Sequence, residues 1–391
     1  MKKKIQLLFI VFFILINGII GVQTVFNNQE KSTLEKRSYT RFSDALKQDP
    51  LHKEFYDEVT TAFTDQVEYR ESFIKQYYTL TNNVFHLSEI GDVAIGKEHV
   101  LFNEAFVPKK NITQDIEKIA TLINQQANEI AKNGSQLIYI NYPRKDAIMT
   151  NYLPTTYNNY HDIYQQYDQL LKNQLNDNVI YVNLMDILKD SDQTYYYAGD
   201  HHLNIKGQEE LFQYLNSIMK GNQNPIHTLN DYQIEKVKMK TSFNRQIGYT
   251  EKEPLEDLYL YPKGWEYNYT RYENGQESDL DIMLKTKEYT CFMAGDNAET
   301  KIVNHNATSD FKLLISGTSY LNSLEYLYIP SVSSFVSLDY RHNESGKTLI
   351  DYVKEVQPQY VLYSASSSVS SYDYANHCLQ FGLSTNEEIT Q

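Results

Sequence analysis

The sequence predicts an α/β protein built on a doubly wound parallel sheet, and three observations predict it. Helical stripes and short β-branched apolar runs alternate from residue 113 to residue 220, the signature of helix, strand, helix, strand, helix. The runs 136–142, 178–184 and 312–316 are apolar enough for buried strands. Polar, chemically capable residues follow each run, at the strand ends where such sheets collect their sites.

The bounds come from length and composition. At 391 residues the chain can bury a sizeable core, as one large domain with an insertion or as two domains, and 41% hydrophobic residues fit a globular class. A net charge of −14 argues against binding nucleic acid through the overall field, so no nucleic-acid partner is expected. Thirty-four tyrosines offer flat faces for stacking on sugars, or serve as general filler. Cys291 and Cys378 are too few for a disulfide framework, although one bond is compatible with an oxidising compartment.

Taken in order, Lys2, Lys3 and Lys4 precede an apolar run over 5–22, which reads as a membrane-targeting element. No small-x-small cleavage site and no lipoprotein cysteine follows it. The positive residues place the start of the chain in the cytoplasm and everything after residue 26 outside, with residues 1–26 as an anchor and a cleaved signal as the alternative. Residues 27–50 read as a polar tether, residues 51–370 as the main domain, and residues 371–391 as a polar tail. Within the domain, 51–83 carries helical spacing from Phe55 to Tyr77, and 88–102 reads as a short β ribbon turning at Gly96-Lys97. Thr113 is placed to cap a helix with the stripe Ile116, Ile119, Ala120, Ile123, Ala127 and Ile130, closed by Asn133-Gly134. A second helix stripe runs from Tyr160 to Leu171, and a third follows residue 205. Residues 221–310 break the rhythm and read as a β-rich insertion over the site. Strand 334–340, helix 347–356 and strand 360–364 complete the sheet.

Two stretches carry the candidate chemistry. In Asp200-His201-His202 the alternate residues of a turn let Asp200 fix the tautomer of His202 and leave the other ring nitrogen as a base. In Ser316-Gly317-Thr318-Ser319 an apolar strand passes into a helix, presenting the Ser319 hydroxyl as a nucleophile where free N–H groups can meet an oxyanion. Lys145, after the strand at 136–142, either orients substrate or Asp200 or is a surface lysine. Adjacent histidines beside an aspartate also suit a metal. No His-x3-His or cysteine pair completes such a sphere, however, and neighbours in an extended stretch point to opposite faces, so neither metal nor cofactor is expected. The histidines capping a loop is the remaining alternative.

Asp-His-His before a helix, a later strand ending in a serine turn and the Tyr320-x-Asn322 that follows resemble the DHHW family of Firmicutes. That family is similar to the acetylation proteins of alginate biosynthesis, with a circularly permuted SGNH hydrolase domain. Phe63-Thr64-Asp65 with Tyr69-Arg70, Asn141-Tyr142-Pro143-Arg144-Lys145, Phe292 to Asn297 and Asp339-Tyr340-Arg341 match as well, so the resemblance covers about residues 60 to 365. Leu203 stands where the family has its tryptophan, which leaves His201 and His202 both open as the base. The resemblance implies an SGNH-like, flavodoxin-like three-layer sandwich. It implies Gly295 and Asn297 as oxyanion donors, for which a plain hairpin turn is the alternative. It also implies acetyl transfer to or from a cell-envelope or secreted polysaccharide, with a multi-spanning membrane acyltransferase as partner. The competing class is a membrane-anchored scaffold or sugar-binding protein that keeps the fold without the activity.

Overall fold

The computed structural model describes residues 2–35, 37–103, 112–189, 193–239, 241–248, 255–262, 268–280, 287–343, 345–365 and 378–380. The chain divides into two compact units, Met1–Val93 with Ser242–Lys252, and Ala94–Thr241 with Glu253–Gln391.

In the first unit, the apolar helix α1 (Lys2–Phe26) leads into α2 (Lys53–Asp65) and α3 (Arg70–Tyr78). The helical spacing over 51–83 predicts one element, and the structure breaks it at Tyr69, whose φ of 61° is left-handed. The break has a cause in polar side chains at the end of α2. Asp65 accepts from Arg37 (2.9 Å) and from the Thr40 amide (3.0 Å), while Gln66 donates to the carbonyls of Gln29 (2.9 Å) and Thr40 (3.0 Å). These bonds fasten the stretch expected to be a tether. Arg70 pairs with Glu35, so it supports this fold.

In the second unit, α4 (Thr113–Lys132) buries the whole stripe from Ile116 to Ile130, and each isoleucine there contributes about 1.5–3 kcal/mol relative to exposure. Thr113 opens the helix without a side-chain cap. Then come β1 (Gln136–Asn141), α5 (His161–Lys172), β2 (Val179–Asn183) and α6 (Ile205–Ile218). Strands β3 (Tyr232–Val237) and β4 (Glu256–Pro262) pair antiparallel in a sheet of their own. The hairpin β5 (Tyr269–Glu273) and β6 (Gln276–Ser278) turns at Asn274-Gly275. It is followed by β7 (Glu299–Asn304), β8 (Lys312–Gly317), α7 (Asn322–Tyr328), β9 (Ser334–Asp339), α8 (Leu349–Val356) and β10 (Tyr360–Tyr363).

The main sheet has the order β2-β1-β10-β8-β9-β7-β5-β6, with β2 to β9 parallel and β7 antiparallel to both neighbours. Strands β1 and β8 are buried along nearly their full length, as strands covered by helices on both faces must be. The fold is SGNH-like α/β. Its carboxyl edge holds the ends of β1, β2, β8 and β9. The segment 221–310, expected as one insertion, is divided: β3 and β4 form a separate ribbon, while β5, β6 and β7 extend the main sheet. The tail at 371–391 lies outside the described residues except for 378–380, where Cys378 and Leu379 are buried. Both cysteines are free.

Candidate active site

The loop ahead of α6 is a tight hairpin. Tyr196 bridges Leu203, the Tyr197 amide donates to the His202 carbonyl (3.1 Å), and the Asn204 amide donates to the Tyr195 carbonyl (2.9 Å). Asn204 caps α6 by accepting from the amides of Lys206 (3.1 Å) and Gly207 (3.0 Å). Gly207 is required, because a Cβ there would lie 2.5 Å from the Tyr195 carbonyl oxygen. Leu203, in the tryptophan's place, is fully buried beneath this hairpin.

The hairpin aims Asp200 at its own loop. One carboxylate oxygen accepts from the His201 amide (2.7 Å), the His202 amide (3.1 Å) and His202 Nδ1 (2.6 Å). A carboxylate accepts only, so Nδ1 carries the proton and Nε2 is left as an acceptor. Nε2 lies 2.9 Å from Ser319 Oγ. Ser319 arrives from β8 through Gly317, where a Cβ would stand 2.5 Å from the Leu321 side chain. The parallel sheet thus brings together three side chains drawn from positions 117 apart in sequence. Asp200 and His202 are buried.

His201 does not point away from His202, as an extended stretch predicts. The hairpin curls the two rings to 4.1 Å between centroids, and ligand atoms of Asp200, His201 and His202 lie within 4.8 Å of one another. Burial, and then the neighbouring His202 ring, lowers the His201 imidazole to about 4.

Lys145 is buried rather than on the surface, and it grips the backbone of the hairpin. Its ammonium donates to the carbonyls of Tyr197 (2.7 Å), Ala198 (2.8 Å) and Asp200 (3.0 Å). Burial draws the amine down to about 7, against the pull of Glu256 and Asp200. Three acceptors need three N–H donors, which only the charged form has, so the geometry favours the ammonium. Glu256, which accepts from the Ala198 amide (2.5 Å), is raised by burial to about 7.

The second loop over Ser319 is 289–297. Gly295 and Asn297, expected as oxyanion donors, are both turned onto this loop. The Gly295 amide donates to Phe292 (3.3 Å), and the Asn297 side chain donates to Met293 (3.2 Å). Asp296 between them takes bonds from Asn322 (3.0 Å) and Arg341 (2.8 Å), and Arg341 also grips Asp339 at the end of β9 (2.5 Å). The residue that sequence reasoning missed is Tyr289. Its ring stacks on His202 at 3.9 Å and 17°, and its hydroxyl donates to the Ser319 carbonyl (2.7 Å). The sequence reads this stretch only as part of a β-rich insertion, where the structure has a 3₁₀ turn at Tyr289–Cys291, and among thirty-four tyrosines no spacing marks this one. Chemically, the arrangement offers a hydroxyl with a proton acceptor beside it, and behind that acceptor a counter-charge for the imidazolium.

Residues 93–254 match a family model described as the SGNH hydrolase-like domain of the acetyltransferase AlgX, a span that includes Lys145, Asp200 and His202 and ends before Ser319. A DHHW family protein from Eubacterium siraeum is similar in structure, with 19% identity and a TM-score of 0.58 over 75% of this chain and 96% of that one. Bacillus cereus PatB1, solved with a sulfonyl adduct, has 19% identity and a TM-score of 0.59 over 74% of this chain and 99% of that one. No curated protein matches the chain in sequence. The resemblance read from the sequence motifs is met by these findings.

Proposed function

We propose that the chain is a serine-dependent acetyltransferase or acetylesterase acting on carbohydrate outside the cell membrane. The observation that carries this reading is the unbroken hydrogen-bonded chain from Asp200 through His202 to Ser319. Ser319 Oγ attacks the carbonyl of an acetyl ester donor, and its proton passes to His202 Nε2. Asp200 stabilises the imidazolium. The donor alkoxide leaves with that proton, and an acetyl ester remains on Ser319. A sugar hydroxyl, or water, then attacks this ester, gives its proton to Nε2, and Ser319 takes the proton back as its C–O bond breaks. The backbone N–H of Ser319 meets the oxyanion, joined by Gly295 and Asn297 once substrate displaces the carbonyls of Phe292 and Met293. The description of the matching family model as an acetyltransferase supports the acyl group named here, and the sulfonyl adduct on PatB1 supports a reactive nucleophile in this fold. A sulfonyl fluoride added to the detergent-solubilised full chain should modify Ser319, read by peptide mass mapping. Labelling at another residue, or none, overturns the reading.

The anchor reading rests on α1, within which an 18-residue window has a mean hydropathy of 2.6. Its last turn enters the first unit without a linker. Thr24 is buried, the Asn27 side chain donates to the Gln66 carbonyl (2.9 Å), and the Gln29 amide donates to the Gln66 side chain (3.0 Å). We infer that the helix is retained, because cleavage after residue 22 would cut into this packed junction. N-terminal sequencing of the cellular protein tests it, and a mature chain starting after residue 22 refutes it.

A further inference from the structure

At the same edge of the sheet as Ser319 lies a polar cavity of about 630 Å³, whose lining residue Asp296 accepts from Asn322, three positions after Ser319 (3.0 Å). Its position follows from register. Gly317 of β8 pairs with Asp339 of β9, so the turn after β9, which carries His342, Asn343 and Ser345, rises next to Thr318 and Ser319. The loop carrying Gly295 and Asn297 forms the wall between, tied to α7 by Asn322 and to the turn by Arg341.

We propose that this cavity is the acceptor subsite and that it takes a neutral glycan, built of hexose or N-acetylhexosamine units, rather than a polyuronate. The inference rests on the acyl-transfer reading of Ser319. The lining is rich in groups that both give and take hydrogen bonds: Asn274, Asn297, His342, Asn343, Ser345 and Tyr352. Tyr352 bridges Glu299 (3.0 Å) and Ser345 (3.1 Å) through its hydroxyl, which fixes the floor. The size falls in the range of small-ligand sites. Charge then decides between sugars. Asp296 and Glu299 line the cavity and Asp339 stands beside it, while the cations nearby are already engaged, Arg341 with Asp296 and Asp339, and Lys347, over the Tyr352 ring, with Glu355 (2.6 Å). A uronate carboxylate would enter against this negative wall, whereas neutral hydroxyls and acetamido groups find donors and acceptors without that repulsion. The exposed His342 ring sits within 4.8 Å of the Asp296 and Asp339 oxygens and is placed to hydrogen-bond the sugar at the mouth.

The test measures two reactions on the full chain in detergent: hydrolysis of a chromogenic acetyl ester, which reports Ser319 alone, and acetyl transfer to N-acetylglucosamine oligomers or oligouronates, read by mass spectrometry. The neutral oligomers should be acetylated and the uronates not. His342→Ala should raise the acceptor KM by about five- to tenfold, the effect of one lost hydrogen bond, while ester hydrolysis stays within about twofold. Glu299→Lys should admit the uronates. Equal use of both sugars by the wild type, or an acceptor KM indifferent to both substitutions, overturns the subsite. If the wild type hydrolyses no ester, the serine reading fails. Calorimetric binding of the same two oligomers to the Ser319→Ala protein then still decides the subsite: selective binding of the neutral oligomer sustains it, and no binding or equal binding refutes it.

Discussion

Two loops flank Ser319, and they are held in different ways. The hairpin 195–204 is knit by its own backbone, capped by Asn204 and pinned from beneath by buried Lys145. The loop 289–297 is closed by short turns of its own, the Phe292 amide donating to Tyr289 (3.1 Å) and the Gly295 amide to Phe292 (3.3 Å), and differs in what holds it in place. It hangs from distant side chains: Asn322, partly exposed Arg341, and buried Arg271, which donates to the Met293 carbonyl (3.3 Å). The first loop fixes the base, and the second shapes the space in front of the nucleophile. Rigid support of reacting groups beside a movable substrate-facing wall is the division expected where chemistry must be preorganised and substrate must enter.

The largest expected effect tests whether the hairpin and the nucleophile act as one unit. Ser319→Ala and His202→Ala should each cut acetyl-ester turnover by at least about a thousandfold, and the double variant should be scarcely worse than either, because residues sharing one mechanism are non-additive. His201→Ala should keep most of the rate, since it is His202 Nε2 that lies 2.9 Å from Ser319 Oγ. The reverse ranking would make His201 the base.

A matched pair of substitutions separates the two loops. Lys145→Met leaves three buried carbonyls without their donor and should cost about 3–5 kcal/mol of stability, seen as a lowered urea midpoint. Asp296→Ala, at a half-exposed pair, leaves the Arg341–Asp339 pair in place and should cost about 1 kcal/mol or less but slow transfer about tenfold, because the donors beside it lose their tether to Asn322 and Arg341. If both variants lose stability equally, the loops do not differ as described.

This contrast also explains what the sequence disclosed. Asp200, His202 and Ser319 were legible because their chemistry depends on short spacings within single loops, and because the apolar runs that carry them announce a parallel sheet. The remote contacts that hold the two loops were not. Tyr289, Arg341 and Glu256 act through contacts spanning 30, 45 and 58 positions, set only once β4, β7 and β9 are in place. The helix break at Tyr69 was hidden for the same reason, since its cause is the pairing of Asp65 and Gln66 with residues 29–40.

A smaller effect concerns the ring over His202. Tyr289→Phe keeps the stacked face and removes the bond to the Ser319 carbonyl, so turnover should fall about three- to tenfold with little change in the acceptor KM. Tyr289→Ala removes the face as well and should lose considerably more. Equal losses would show that the hydroxyl alone matters.

The smallest effect is in pH dependence, and it probes the hairpin without touching the reacting atoms. Folding holds His201 neutral down to about 4, while in the unfolded chain it titrates near its ordinary value of 6.5. Above 6.5 both states carry the neutral ring, and this residue gives stability no slope. Between 6.5 and about 4 the unfolded chain binds the additional proton, so stability falls as pH falls, and below about 4 the slope vanishes again. Glu256, raised by burial to about 7, acts in the opposite sense over part of this window, so the informative quantity is the difference between two proteins that share it. His201→Phe keeps an aromatic ring beside His202 and removes the titration. Urea midpoints measured at several values from pH 7 to pH 4 should therefore decline less steeply for His201→Phe than for the wild type. Parallel declines would mean that His201 titrates normally in the folded protein, and that the hairpin is more open to water than its hydrogen bonds imply.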